Sequence, residues 1–421
     1  MDHFTLRNGE LHAEDVPLSR IADAVGTPVY VYSRATLTRH ATVFRDALAA
    51  VLPRLHVAFA VKSNPNLAVL RVLKDAGYGA DVVSEGEMNR ALAAGIPAGD
   101  IVFSGVGKSG RELKAAIAAG IGQFNLESEE EGVELAAIAA AMGKTAVCAL
   151  RVNPNVDART HAKISTGKAE NKFGVAYDRA AGIYARLAVL DGLAMRGLAV
   201  HIGSQITDLD PSRQAFAKMG ELMRDVRGAG HTVTHMDLGG GLGVPYKQGE
   251  QLPGPEDYAT MVAEVTEGWD ATIMFEPGRV ITGNAGVLIT EVIRVKQGVN
   301  APFVVVDAAM NDLARPAMYD AWHDFAAVHP TGETMVANIV GPICESSDTF
   351  AMGRTIDVVK AGDLGVFRTA GAYGATMANT YNSRPLVPEV LVDGARWAVV
   401  AERIEPETVL AAERIPDWLA G

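Results

Sequence analysis

The feature that most constrains this chain is a rhythm. Between residues 56 and 275, short apolar segments alternate with helical patterns, at 56–61, 80–83, 101–103, 123–126, 146–152, 193–202, 235–238 and 272–275. The first four end at Lys62, Ser84, Gly105 and Ser128, which are 22, 21 and 23 residues apart, the length of one βα unit. The segments run apolar without polar alternation, as parallel strands do when both faces are covered. Several helical patterns open on a serine with a glutamate three residues later, Ser84/Glu87, Ser109/Glu112 and Ser128/Glu131, the spacing of a capping box. Asn64 before Pro65 reads as another start. The helices stop at Gly77, Gly95, Gly120, Gly143, Gly192 and Gly230, where left-handed backbone is needed. Eight such units predict an α/β fold, a (β/α)8 TIM-type barrel.

Past residue 284 the rhythm changes to β-type segments at 287–296, 302–306, 334–340, 364–368 and 397–400, with a helix expected over 311–322. The expected organisation is an N-terminal segment, 1–30, packing with the C-terminal domain; a barrel, 31–283; and a mostly β domain, 284–421. With 48% hydrophobic residues and a formal charge of −12, the chain can bury a large core and offers a phosphate backbone no electrostatic attraction. Nucleic acid is excluded as a partner. No apolar run approaches the ~18 residues of a membrane span. The start MDHFTLRNGE has no signal-peptide core, and two cysteines, Cys148 and Cys344, make no disulfide framework. The expectation is a soluble, cytoplasmic protein with no membrane partner and no metal.

Barrels of this kind build their sites from the C-terminal ends of the strands. The polar residues there are Lys62, Ser84, Arg151 with Asn153, His201 with Ser204, the run Gly239, Gly240 and Gly241, and Glu276 with Arg279. Lys62 closes the run HVAFAVK, where desolvation and cationic neighbours would make its amine a Schiff-base nucleophile. The run DLGGGLG ends the seventh strand and can offer backbone N–H groups to a phosphate, with Ser204 adding a hydroxyl and His201 an imidazole face for an aromatic ring. Glu276 in EPGR places a carboxylate beside that loop. An aldehyde for Lys62, a phosphate for the glycine loop and a ring nitrogen for Glu276 together describe pyridoxal 5'-phosphate. Cys344 lies in GPICESSD, flanked by Gly-Pro and acidic residues, which suits a reactive loop more than a buried strand.

The chain resembles the fold-type III pyridoxal-phosphate-dependent decarboxylases from about Pro28 to Val400. The motifs are FAVKSNPN, GYGADVVSEGE, HAKISTG followed by NKFG, HIGSQ, GGGLG, EPGR, DAAMNDLARPAMYDAWH, GPICESSD and AYGATMANTYNSRP. HIGSQ and EPGR mark the wider superfamily; NDLARPAMYDAWH with CESSD marks its diaminopimelate branch. The resemblance implies that Lys62 carries the cofactor as a Schiff base, that His201 stacks on its ring and that Glu276 pairs with its nitrogen. It implies that Ser204, Gly240, Gly278, Arg279 and Tyr373 hold or neighbour the phosphate. Arg279, Arg315, Tyr319, Glu345 and Tyr373 would grip the substrate, and Cys344 would return a proton from the other subunit of a homodimer. The implied reaction takes carbon dioxide from meso-2,6-diaminopimelate and yields L-lysine, the last step of lysine biosynthesis. Three positions depart from the family pattern: Ser347 where glycine is usual, Ala309 beside a usual glycine, and Leu386 where arginine is frequent. Two other readings are a decarboxylase of ornithine, lysine or arginine on the same fold, and a non-catalytic pyridoxal-phosphate-binding regulator.

Overall fold

The eight apolar segments are strands of one closed sheet. In a computed structural model, which describes residues 2–164, 166–167, 170–247 and 249–419, they are β1 (Leu55–Ala60), β2 (Gly79–Val82), β3 (Ile101–Phe103), β4 (Gln123–Leu126), β5 (Ala146–Asn153), β6 (Leu193–Ala199), β7 (His235–Asp237) and β8 (Thr272–Phe275). Each pairs in parallel with the next, and Ile273 to Phe275 lie against Leu55 to Val57, which closes the barrel. This unit comprises residues 37–245 and 249–282.

Helix starts follow the sequence signals with two shifts. Ser109 and Glu112 form the reciprocal capping box. Ser84 and Ser128 accept the N–H groups of Glu87 and Glu131 at 3.2 Å, but each glutamate reaches back one residue further, to the N–H of Val83 and of Glu127. The reason is backbone: Ser84 and Ser128 are more extended, at φ −157° and −154°, than Ser109 at −78°. The helix expected to begin at Asn64 begins at Leu67 instead, capped by Asn66. Pro65 forces the residue before it into extended backbone. The six stop glycines all have positive φ, between 62° and 89°.

The other unit comprises residues 1–36, 246–248 and 283–421. Its sheet is organised around Val29–Ser33, which pairs antiparallel with Gly286–Lys296 and parallel with Glu389–Asp393. Phe4, Leu11, Leu18 and Ile21 from the N-terminal segment share a core with Val287, Ile289, Val366 and Val390. The helix expected over 311–322 is only Arg315–Tyr319. Pro316 takes a first-turn position, residues 309–313 form a turn closed by Leu313 N–H on the Ala309 carbonyl, and Asp320 at φ 52° ends it. Among the described residues no helix is long and apolar enough to cross a membrane, and no cluster of His, Cys, Asp and Glu is arranged for a metal.

Candidate active site

Lys62 lies just past β1, in the single 3-10 turn Val61–Ser63 rather than in the strand itself. Its Nζ donates to Asp81 Oδ2 at 2.8 Å. Asp81 is the third residue of β2, with a fully buried side chain, whereas that of Lys62 is 38% exposed. The second oxygen, Asp81 Oδ1, is buried with no hydrogen-bond partner. Lys108 differs: its side chain has no exposure, and Nζ donates to the Gly105 and Asn125 carbonyls and to Glu131.

Glu276 follows β8. Its Oε1 accepts from Ser104 Oγ and Asn125 Nδ2, both at 3.2 Å. The same amide nitrogen donates to Asp237 Oδ2 at 2.9 Å, and Asp237 Oδ1 accepts the Gly239 N–H. Burial, reinforced by Asp237 and Asp81, pushes the Glu276 carboxyl well above the usual range against the opposing pull of Lys62. Around Glu276, two further carboxyl groups, Asp237 and Asp81, work against its ionisation, and Lys62 works for it. A protonatable ring nitrogen would relieve that imbalance, so the residues fit a pyridine-type cofactor.

His201 stands two residues beyond β6. Gly240 N–H donates to its Nδ1 at 3.2 Å, which leaves the ring proton on Nε2. Burial, then Arg151 and Lys62, hold its pKa well below the usual value, so the ring is neutral. The glycine run is required by packing between neighbouring loops. A Cβ on Gly239, Gly240 or Gly241 would lie 2.6, 2.2 or 2.4 Å from the carbonyl oxygen of Val200, Glu276 or Gly203. At Gly278 it would meet Ser63 Cβ at 3.0 Å. The HIGSQ and glycine loops are laced together by Ile206 N–H on Gly241 O and Gly243 N–H on Ile206 O. The Gln205 amide adds bonds to both backbone groups of Val244.

Ser204 Oγ accepts from Arg279 Nη2 at 3.0 Å and Nε at 3.3 Å, with Arg279 5% exposed. Two residues expected at the mouth serve local structure: Ser84 caps its helix, and Asn153 Oδ1 accepts the Asn155 N–H. Arg151 bonds Glu127 at 2.6 Å and lies over Phe173 of the NKFG motif. In HAKISTG, Thr166 donates to the His201 carbonyl, while Ser165 lies outside the described residues. Sequence reasoning missed Asp81, Asn125 and Asp237. Their signal is polarity inside segments otherwise apolar, GADV, QFNL and HMD.

In the other unit Arg315 is buried, with its guanidinium 4.7 Å from the Tyr246 ring centroid and Nη1 on His323 Nε2 at 2.9 Å. Tyr319 ends the same short helix, half-buried. Cys344 is exposed, and its N–H donates to Asn382 Oδ1. Glu345 accepts from Ser347 Oγ and hydrogen-bonds Tyr381, whose phenol is raised by that bond. Ser347, a departure from the family pattern, thus orients Glu345. Ala309 keeps its N–H on Asp312, and Leu386 pairs with Ile404 in an isolated bridge. Tyr373 is half-buried in left-handed backbone, φ 55°.

A parallel barrel with a lysine–aspartate pair, a neutral histidine and a buried carboxyl beside glycine loops has the fold and site of a pyridoxal-dependent enzyme. Residues 34–283 match the pyridoxal binding domain of the pyridoxal-dependent decarboxylases, so the class is a carboxy-lyase whose cofactor is pyridoxal 5'-phosphate. The chain is 51% identical over 418 residues to a diaminopimelate decarboxylase from Zymomonas mobilis, covering 99% of each. It is 48% identical over 416 residues to one from Pseudomonas aeruginosa, again covering 99% of each. A crystal structure of the diaminopimelate decarboxylase of M. jannaschii with L-lysine superposes with a TM-score of 0.95 at 33% identity, covering 99% of each chain. The chain belongs to the diaminopimelate decarboxylase family.

Proposed function

We propose that this protein decarboxylates meso-2,6-diaminopimelate to L-lysine, the last step of lysine biosynthesis, and does so in the cytoplasm as a homodimer. The observation that carries the proposal is the barrel mouth, where Lys62 faces the buried Asp81 while Glu276 sits among carboxylates with no ion pair of its own among the described residues. Pyridoxal phosphate, when bound, supplies an electron sink for the carbon that loses carbon dioxide.

Lys62 is the residue that joins the cofactor covalently. Its ammonium is partly exposed and pairs with Asp81, whereas the Lys108 side chain is fully buried and donates to three acceptors. Glu276 faces the ring nitrogen, and His201, fixed by Gly240, presents an uncharged face to the ring. Gly240, Gly278, Ser204, Arg279 and Tyr373 hold the phosphate end; the Ser204 oxygen already accepts from Arg279, so its own O–H proton is available to donate. Arg279 and Arg315 serve substrate carboxylates, Tyr319 and Tyr373 also bind the substrate, and Glu345 serves the distal ammonium. Cys344, an exposed thiol, returns a proton to the substrate carbon in the partner's site. Its free state, with that of Cys148, suits a reducing compartment.

Borohydride reduction of the holoenzyme followed by peptide mapping should place the pyridoxyl group on Lys62. A label on Lys108 or Lys163 would overturn the assignment.

A further inference from the structure

The polar layer inside the barrel contains more than the cofactor-facing residues need. Asp237 is 1% exposed at the end of β7, one strand away from Glu276, and touches no cation among the described residues. One amide nitrogen, Asn125 Nδ2, lies 2.9 Å from Asp237 Oδ2 and 3.2 Å from Glu276 Oε1. Asn125 is itself held by Gln123 Nε2 on its carbonyl oxygen at 2.9 Å, so its amide face is fixed. Asp237 has a second firm donor in the Gly239 N–H at 2.9 Å. Two buried carboxyl groups gathered by one amide without a counter-ion cannot both be charged at ordinary cost.

We propose that Asp237 is a positioning residue for Glu276: the two share one proton, which resides on Glu276 in the cofactor-free protein and leaves it when a cationic ring nitrogen takes its place. This rests on the assignment of Glu276 to the ring nitrogen. The asymmetry follows from the donors. Asp237 has two, from Asn125 and Gly239, and both stabilise its charged form. Glu276 has the longer bonds from Ser104 and Asn125, at 3.2 Å, so its ionised form is the less supported of the two. The remaining groups act in the same sense. Asp81 acts on Glu276 from β2 and favours the protonated form, and the charge of Lys62 opposes it. His235 and Tyr258, the other titratable groups within reach of Asp237, are pushed toward their neutral forms, chiefly by burial. The Glu276 O–H bond breaks and the proton forms a new bond, to water where the ring nitrogen arrives already protonated or as N–H where it arrives neutral, and Glu276 would be left ionised against the ring.

The test is infrared difference spectroscopy on the full chain stripped of cofactor, before and after adding pyridoxal phosphate, with the carboxyl band identified by its shift in D2O. Wild type should show a protonated-carboxyl band that disappears on binding. In Asp237→Asn, Glu276 loses its charged neighbour while burial and Asp81 remain, so the band should titrate away at a lower pH than in wild type. A merely structural role for Asp237 would not move this band. Absence of the band from stripped wild type, or a band that titrates at the same pH in folded Asp237→Asn as in wild type, overturns the proposal; the wild-type measurement decides alone if the variant does not fold. Cofactor uptake is read in the same samples by visible absorbance. Uptake with an unchanged band sinks only the shared proton, while failure of wild type to take up the cofactor sinks the reading beneath it.

Discussion

At the scale of single residues, the account turns on buried charge. Glu276→Gln keeps the shape of the side chain and removes the charge proposed to face the ring nitrogen. Cofactor should still bind, while kcat falls more than about tenfold, equivalent to ~1.4 kcal/mol of barrier; undiminished turnover at full occupancy would contradict the role. Asp312, in the other unit, gives a pH dependence that stability can report. Burial raises its carboxyl from 3.8 to about 7. For an acid whose pKa is higher in the fold, the stabilising contribution is fully present below the unfolded value and is lost as pH rises through the folded one. The window is therefore about pH 4 to 7. Asp312→Asn can still accept the Ala309 N–H without the charge, so its melting temperature should gain on wild type more at pH 8 than at pH 5. An equal difference at both values would refute the burial argument.

At the scale of elements, much was legible because strands and loops obey opposite constraints. Barrel strands are covered on both faces, so largely apolar runs marked all eight, and the glycines Gly77 to Gly230 marked helix ends because positive φ is needed there. The reasoning failed where one residue overrules the pattern: Pro65 delays a helix and Pro316 helps shorten another. Asp81 and Asn125 lie inside their strands, and Asp237 closes a strand of only three residues; a charged or amide group within an apolar run is itself a signal. The glycine run was legible as a loop, but not its reason, because contacts between β6, β7 and β8 loops do not follow chain order. Gly240→Ala puts a Cβ 2.2 Å from the Glu276 carbonyl oxygen and should weaken pyridoxal phosphate binding at least about tenfold, ~1.4 kcal/mol. Gly228→Ala, which meets nothing within 4 Å, should leave binding unchanged. Equal affinities in the two variants would show that the loop packing does not position the site.

At the scale of the whole molecule, residues proposed for one reaction are divided between two units of the chain: Lys62, His201 and Glu276 in one, Cys344, Glu345 and Tyr373 in the other. If Cys344 serves the partner's site, mixing Lys62→Ala with Cys344→Ala protein and allowing subunit exchange should restore about a quarter of wild-type activity, since half the dimers are mixed and each has one intact site. No recovery despite demonstrated exchange would assign the thiol to its own chain or to no site. If, as proposed, Arg279 and Arg315 pair with substrate carboxylates, a substrate lacking the second one leaves a buried charge unpaired, which typically costs ~2 to 5 kcal/mol. The most direct measurement is the product made from meso-diaminopimelate by the purified, pyridoxal-phosphate-loaded protein. The account predicts L-lysine and carbon dioxide in equal amounts, none from Lys62→Ala, and a kcat/KM for D-lysine or L-ornithine lower by about thirtyfold or more, ~2 kcal/mol. Absence of L-lysine, or comparable kcat/KM for D-lysine and meso-diaminopimelate, would contradict it.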